Sequence, residues 1–367
     1  MGKRIGIRGA GVAGISLARA IVKKAPSCEI VLFDTRDEFP TPQRTFCFFS
    51  ENSLGTDEAY LDFQWKKIKF KSGSFERIVN VDQTPYTLIS GNTFFATSMQ
   101  ELSTAGVEFR WGCAYVEIND NSIHTDRGTC EFDQVIDAAF NPSTAHSLLW
   151  QSFGGMWIKT QDDIFDPSTA ILMELVESTE NSPLNFFYIL PTSTKDALIE
   201  HTSFAPLKFD DHWHFEQVNS WLKKNIVVGF EVTKREYGVI PMGLSFKPSN
   251  DLVTVGSCSG AIRPSTGYAY INIQAQARQL ALALNDENQL KRALPVIPSW
   301  LRWCDSLFLK ALLANPTNGR NLISSLLFKA PEDALPQFLN GRMTLLQGLR
   351  VMSCAPKLPM MKALINL

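Results

Sequence analysis

A glycine-rich loop near the start of the chain has the spacing needed to approach a phosphate closely. Gly9-Ala10-Gly11-Val12-Ala13-Gly14 follows an alternating segment, Arg4-Ile5-Gly6-Ile7-Arg8. It opens into a helical pattern through Ile15, Leu17, Ala18, Ile21 and Val22 that stops near Ala25-Pro26. A second strand pattern, Glu29-Ile30-Val31-Leu32-Phe33, ends on Asp34. Each position has a mechanical use. Gly9 permits the tight turn, Gly11 lets the backbone near a pyrophosphate, and Gly14 lets helix and strand pack closely. The helix start at Val12 and Ala13 offers free N–H groups to phosphate, and Asp34 can accept hydrogen bonds from a ribose. The chemistry implied is dinucleotide binding. By analogy, a fingerprint placed this early favours FAD over a nicotinamide.

A second strand–loop–helix recurs late in the chain. Leu252-Val253-Thr254-Val255-Gly256 opens onto Ser257-Cys258-Ser259-Gly260-Ala261-Ile262-Arg263-Pro264-Ser265-Thr266-Gly267-Tyr268, and a helical pattern runs from about 269 to 284. This loop also presents backbone N–H groups at a helix start and suits the ribityl chain and flavin ring; an ordinary strand-to-helix turn is the plain alternative. Between the two loops the pattern predicts a helix over 94–102 and strands over 107–111 and 114–118. A buried strand over 132–139 carries Asp137, either a return strand of an FAD domain or an ordinary strand-end acid. Residues 151–245 read as a run of aromatic-rich strands, among them 170–174, 186–191, 197–202 and 236–241.

These elements predict a mixed α/β chain. It has a glutathione-reductase-type Rossmann FAD-binding domain, an inserted β-rich substrate domain and a helical C-terminal tail. The expected boundaries are 1–80 and 90–150 for the first part of the FAD domain, 151–245 for the substrate domain, 246–295 for the FAD return segment, and 296–367 for the tail.

Composition narrows the partners. The 367 residues carry a net charge of −2, and 45% are hydrophobic against 20% charged, which excludes a disordered chain and leaves no electrostatic footprint for nucleic acid. The many Phe and Trp point to an apolar partner. The seven cysteines form no C-x-x-C pair, so neither a disulfide framework nor a zinc site is expected. His212-x-His214 reads as a weak metal signal or as a polar loop or helix start. No apolar run is long enough for a membrane span and no signal-peptide pattern opens the chain, so a reduced, cytoplasmic, metal-free protein is expected. The tail from 300 onward holds eight Lys/Arg and three acids, +5, with apolar residues at helical spacing such as Leu345, Leu349 and Met352. Such stripes fit helices lying at a membrane interface, or a helical subdomain packed on the core with a solvated basic face.

Several ordered motifs resemble the bacterial and plant lycopene cyclases. They are Gln151-Ser152-Phe153-Gly154-Gly155, Phe165-Asp166-Pro167, Tyr188-Ile189-Leu190-Pro191, Leu198-Ile199-Glu200-His201-Thr202, Tyr237-Gly238-Val239-Ile240-Pro241, Pro264-Ser265-Thr266-Gly267-Tyr268 and Gly341-Arg342-Met343-Thr344-Leu345. They span essentially the whole chain. The resemblance implies a reaction without net redox change that requires reduced FAD, with NADPH as electron donor, and folds the ends of lycopene or a related polyene into rings. Such an enzyme is an intramolecular lyase, peripherally attached to the membrane that holds its substrate. Glu200 matches the first carboxylate of the family's acidic motif and is the implied proton donor. His201 stands at the second acid and is taken as a base or relay. The cofactor set comprises Gly9, Gly11, Val12, Ala13, Gly14, Asp34, Arg36 and Arg44, with Gly256, Ser257, Pro264, Thr266, Gly267 and Tyr268. The family's D-G-R-G segment reads Asp137-Ala138-Ala139-Phe140 here, and its early H-T-W reads Arg44-Thr45-Phe46. Two other readings stay open: a flavin monooxygenase or dehydrogenase acting on an apolar substrate, and a flavoprotein that binds polyenes without turning them over.

Overall fold

A computed structural model of the chain describes residues 2–38, 44–50, 61–141, 146–244, 252–286, 290, 296–357 and 359. Its first layer is a five-stranded parallel sheet in the order Val253–Thr254, Gln134–Asp137, Arg4–Arg8, Glu29–Phe33, Glu108–Arg110. The central strand buries Ile5 and Ile7 completely on one face, and Gly6 between them lies against Phe132 and Ile123 on the other, so the strand is covered on both sides. Helix Val12–Lys24 lies on this sheet, and its Leu17, Ala18 and Ile21 meet helix Tyr270–Ala283 through Ala277 and Leu280. Both predicted strand–loop–helix units therefore sit side by side. A three-stranded antiparallel unit, Val116–Asn119, Ser122–Thr125 and Gly128–Glu131, packs beside the sheet over Phe33 and Val135.

The second layer is a seven-stranded sheet. Its order is Phe230–Met242, Leu149–Thr160, Asp196–Ala205, Leu184–Pro191, Thr169–Leu175, Lys67–Ser72, Phe75–Asn80. All neighbours run antiparallel except Thr169–Leu175 beside Lys67–Ser72. Residues 67–80, grouped by sequence with the N-terminal segment, are thus paired into the large sheet. A small sheet of Thr45–Phe49, Tyr86–Ser90 and Phe63–Trp65 joins the two layers.

The large sheet is covered on both faces, so its strands are nearly continuous in apolar residues. Phe187, Ile189, Ala197 and Ile199 face helix Asp211–Asn225, meeting Val218 and Leu222. Their alternates Leu184, Phe186, Leu190, Leu198 and Phe204 face the tail. That tail folds into helices Ser299–Ala314, Gly319–Lys329, Leu335–Asn340 and Leu345–Met352. Leu307, Leu309, Leu312, Leu322, Leu326 and Leu327 are buried in the core, as the packed-subdomain alternative requires. Leu345, Leu346 and Leu349 instead remain 54–70% exposed. Among the described residues, no helix is long and apolar enough to cross a membrane.

Candidate active site

One cavity of about 960 Å³ runs between the layers. At one end its wall is Gly9, Gly11, Val12, Ala13, Asp34 and Arg36; in the middle come Arg44, Thr45, Ser257, Thr266, Gly267 and Tyr268. The far end is apolar, with Phe70, Leu172, Phe186, Phe204, Phe308 and Leu327, and reaches Met352 and Ala355. Three residues of the expected cofactor set do not line it. Gly14 lets the helix seat on the loop, since a Cβ there would lie 1.9 Å from the Gly9 carbonyl oxygen. Gly256 sits at φ +89, where a Cβ would meet that of Ala13 at 2.5 Å, so it brings the two glycine loops together. Pro264 is buried within its loop.

The wall at the Rossmann end fits FAD. Gly9 holds φ +97, and the hydrogens of Gly11 face open space with nothing within 4 Å of a would-be Cβ. This is the cradle a pyrophosphate needs. The Asp34 carboxylate accepts from the Ala10 N–H at 2.7 Å and from Arg36 Nε at 2.8 Å. Burial pushes its pKa up, but the hydrogen bonds from Arg36 and Ala10 outweigh that and hold it below the usual value. It therefore stays an anionic acceptor beside the place a ribose would take. Farther along, Gln151 Oε1 is buried without a partner and lies 2.4 Å from a would-be Cβ on Gly267. An acceptor left without a donor at the cavity wall suits an imide N–H such as a flavin carries. Asp137 is engaged elsewhere: it pairs with Arg8 and accepts from the Ala139 N–H at 2.9 Å.

Glu200 and His201 are adjacent in sequence but not in space. Side chains alternate along strand Asp196–Ala205, so Glu200 and Thr202 face the cavity while His201 faces helix Asp211–Asn225. There His201 Nδ1 lies 3.0 Å from Nδ1 of His214, whose Nε2 lies 3.0 Å from Ser152 Oγ. His212, the other half of the His-x-His motif, is exposed, and among the described residues no group of three or more His, Cys, Asp or Glu could hold a metal.

Glu200 is 9% exposed, and its Oε1 accepts from Thr202 Oγ1 at 3.0 Å. Among the described residues no cation forms an ion pair with it. Burial pushes its pKa well above the usual carboxylate range, helped by repulsion from Glu236 and opposed by the Thr202 hydroxyl. Its surroundings favour the protonated form.

Glu236 is the residue that reading the sequence as motifs missed. It is 4% exposed, on the cavity face of strand Phe230–Met242, and both its oxygens accept from Thr45 Oγ1 at 3.1 and 2.9 Å. Burial raises its pKa to about 7, against the pull of Thr45, Lys234 and Arg44. An acid on a half-buried strand, in phase with Gly238 and Ile240, was the available signal. A second missed group is a knot of phenols at the cavity wall. Tyr86 OH bonds to Tyr188 OH and lies 3.2 Å from Tyr268 OH.

The doubly layered fold, the two glycine loops and the dinucleotide cradle define the flavoprotein class. Solved structures share this fold across almost the whole chain. A geranylgeranyl bacteriochlorophyll reductase-like protein from Thermoplasma acidophilum superposes with a TM-score of 0.66 at 11% identity, covering 100% of this chain and 99% of its own. A flavoprotein/dehydrogenase from Cytophaga hutchinsonii gives 0.62 at 14%, covering 99% and 98%. Within that class, the family model described as lycopene cyclase protein matches residues 5–365, so the chain belongs to the lycopene cyclase family. It is 23% identical to the lycopene beta-cyclase of Pantoea ananas over 97% of this chain and 95% of that protein. The lycopene beta-cyclase of a Paracoccus species is 24% identical over 70% of each.

Proposed function

We propose that this protein cyclises the ends of lycopene or a related linear polyene to β-ionone-type rings, as an intramolecular lyase. The observation that carries this reading is the placement of Glu200: a carboxyl 9% exposed, facing an apolar cavity, with no ion-paired cation among the described residues and with burial favouring its protonated form. Glu200 adds its proton to C2 of the terminal double bond and leaves a tertiary cation at C1. The C5=C6 bond then closes the ring onto C1, moving the positive charge to C5. Loss of the proton from C6 restores neutrality. The walls around Phe186, Phe204 and Phe308 exclude water, which would otherwise trap the cation, and the phenol faces of Tyr188 and Tyr268 are electron-rich neighbours for it.

Gly9, Gly11, Val12, Ala13, Asp34, Arg36 and Arg44 would hold the dinucleotide, and Ser257, Thr266, Gly267, Tyr268 and Gln151 its flavin end. When bound there, reduced FAD would supply electron density beside a cation, and NADPH is the proposed source of its electrons. His201 lies behind the sheet; in this reading it supports the strand and takes no proton from substrate. Docking on a membrane through Leu345, Leu346 and Leu349 fits a helix whose own Met352 lines the cavity, giving the polyene a short path inward.

The test is Glu200→Gln in a lycopene-accumulating bacterium, with pigment analysis and flavin content measured on the purified protein. Flavin is retained and cyclic carotenes disappear; continued ring formation overturns the assignment. Oxygenases share the fold, among them 2-methyl-3-hydroxypyridine-5-carboxylic acid oxygenase at a TM-score of 0.62 and 12% identity. An anaerobic assay separates the chemistries, because cyclisation proceeds with chemically reduced flavin and no oxygen.

A further inference from the structure

Resting on that reading, we propose that Glu236 is a positioning residue for the reaction. It and Glu200 flank Gly155 on one face of the sheet and share a single proton, with the charge on Glu236 and the proton on Glu200.

The register puts the two acids together. Gly155 pairs with Glu200 on one side and with Glu236 on the other, so the three residues form one row across three strands. Residues in such a row point to the same face. The middle one has no side chain to separate the acids. A Cβ on Gly155 would lie 3.3 Å from Glu200 Cβ and 3.3 Å from Glu236 Cγ. Two carboxylates in one buried space do not both ionise readily, as in carboxylate dyads generally.

Their surroundings decide which one takes the charge. Glu236 accepts from the Thr45 hydroxyl and faces the cations of Arg44 and Lys234. Among the described residues, Glu200 has the Thr202 hydroxyl alone. The other titratable groups that face the pair are Cys47 from strand Thr45–Phe49 and Tyr188, the cross-strand neighbour of Glu200. Burial pushes the pKa of both above their ordinary ranges, so neither adds charge at neutral pH. The negative charge therefore settles on Glu236, and its field keeps the proton on Glu200.

Only Glu200 of the two lines the cavity; Glu236 lies behind Thr45, which does. Glu236 consequently acts through Glu200 and not on the polyene. When Glu200 has given its proton to C2, the neighbouring charge makes the new carboxylate a better base. It recovers a proton from C6 in the same cycle, so the pair neither gains nor loses one. A second acid is thus supplied from another strand, in a chain where the motif position after Glu200 is His201.

The experiment compares wild type, Glu236→Gln and Glu236→Asp as flavin-loaded proteins. Cyclisation of lycopene in lipid vesicles is followed against pH, and infrared carbonyl absorption follows the protonated carboxyl without turnover. Glu236→Gln is expected to move the alkaline limit of activity toward acid by about 1–3 pH units, the usual reach of a neighbouring charge. The infrared titration of the carboxyl that Glu200→Gln removes moves with it. Glu236→Asp keeps the wild-type profile. A Glu236→Gln protein that binds flavin but titrates as wild type overturns the proposal, as does loss of activity at every pH in both variants. Wild type that holds the shifted carboxyl yet never cyclises a polyene overturns the functional reading alone.

Discussion

His201 and His214 meet through their Nδ1 atoms at 3.0 Å, on the side of the sheet away from the cavity. One nitrogen must donate and the other accept, so the contact has room for one proton only. Burial lowers the pKa of His201 to about 3 and that of His214 to about 4. The unfolded chain binds these protons near pH 6.5 and the folded pair does not. The stability they contribute is therefore complete above about 6.5 and drains away as pH falls toward 4 and 3, by about 1.4 kcal/mol per pH unit for each ring. Denaturation of wild type and His201→Leu between neutral pH and about 4.5 checks this. The deficit of the variant shrinks as pH falls, and a constant deficit would show that the ring is not held neutral.

Gly11 and Gly9 separate binding from folding. A Cβ on Gly11 meets nothing within 4 Å, whereas one on Gly9 would have φ +97 and lie 3.0 Å from the Ala139 nitrogen. Gly11→Ala is expected to melt within about 0.5 kcal/mol of wild type yet purify with markedly less flavin. Gly9→Ala is expected to lose about 1–2 kcal/mol of stability as well. Flavin absorbance per protein beside thermal melts distinguishes the two; full flavin loading of Gly11→Ala contradicts the cradle.

The loop 257–268, proposed above to hold the flavin end of the dinucleotide, is pinned to the tail by a buried ion pair. Arg263, fully buried, meets Asp305 at 3.0 and 3.2 Å, and Ser265 Oγ donates to the same carboxylate at 2.6 Å. Asp305→Asn leaves the guanidinium without its counter-charge, at a cost of about 3–5 kcal/mol. A fall in Tm of many degrees accompanied by loss of flavin is expected, and an unchanged melting curve shows the pair to be dispensable.

Leu345, Leu346 and Leu349 contribute little to folding because they are already exposed. Changing all three to Ser is expected to leave Tm nearly unchanged while reducing sedimentation with lipid vesicles and activity on membrane-held polyene. Activity on detergent-dispersed substrate is retained. Equal vesicle binding by wild type and variant removes the helix Leu345–Met352 as the docking surface.

The elements that were legible in the sequence are those made by near neighbours. The strand, glycine loop, helix and second strand from Arg4 to Asp34 follow one another in space as in sequence, so spacing alone predicts them. The helix expected over 94–102 is found as Gly91–Thr104. Glu200 is singled out as a candidate acid by its motif. His201 was placed beside it because the two are adjacent in the chain, although a two-residue period sends them to opposite faces. Glu236 escaped because its partnership with Glu200 exists only through the register of both with Gly155. The phenol knot draws Tyr86, Tyr188 and Tyr268 from three distant segments, and no local pattern reports such a meeting.

The backbone of Phe49 is held by the side chain of Asn340, which accepts from its N–H at 3.3 Å and donates to its carbonyl at 2.8 Å. Strand Lys67–Ser72 likewise waits for Thr169–Leu175, its parallel neighbour. During synthesis the wall of the cavity is therefore incomplete until the last helices leave the ribosome. An emerging chain can close its Rossmann end early but cannot enclose the apolar end of the cavity, and its unpaired strands stay exposed to aggregation until then. Truncation within the tail should consequently be felt first as poor solubility, and only afterwards as missing activity.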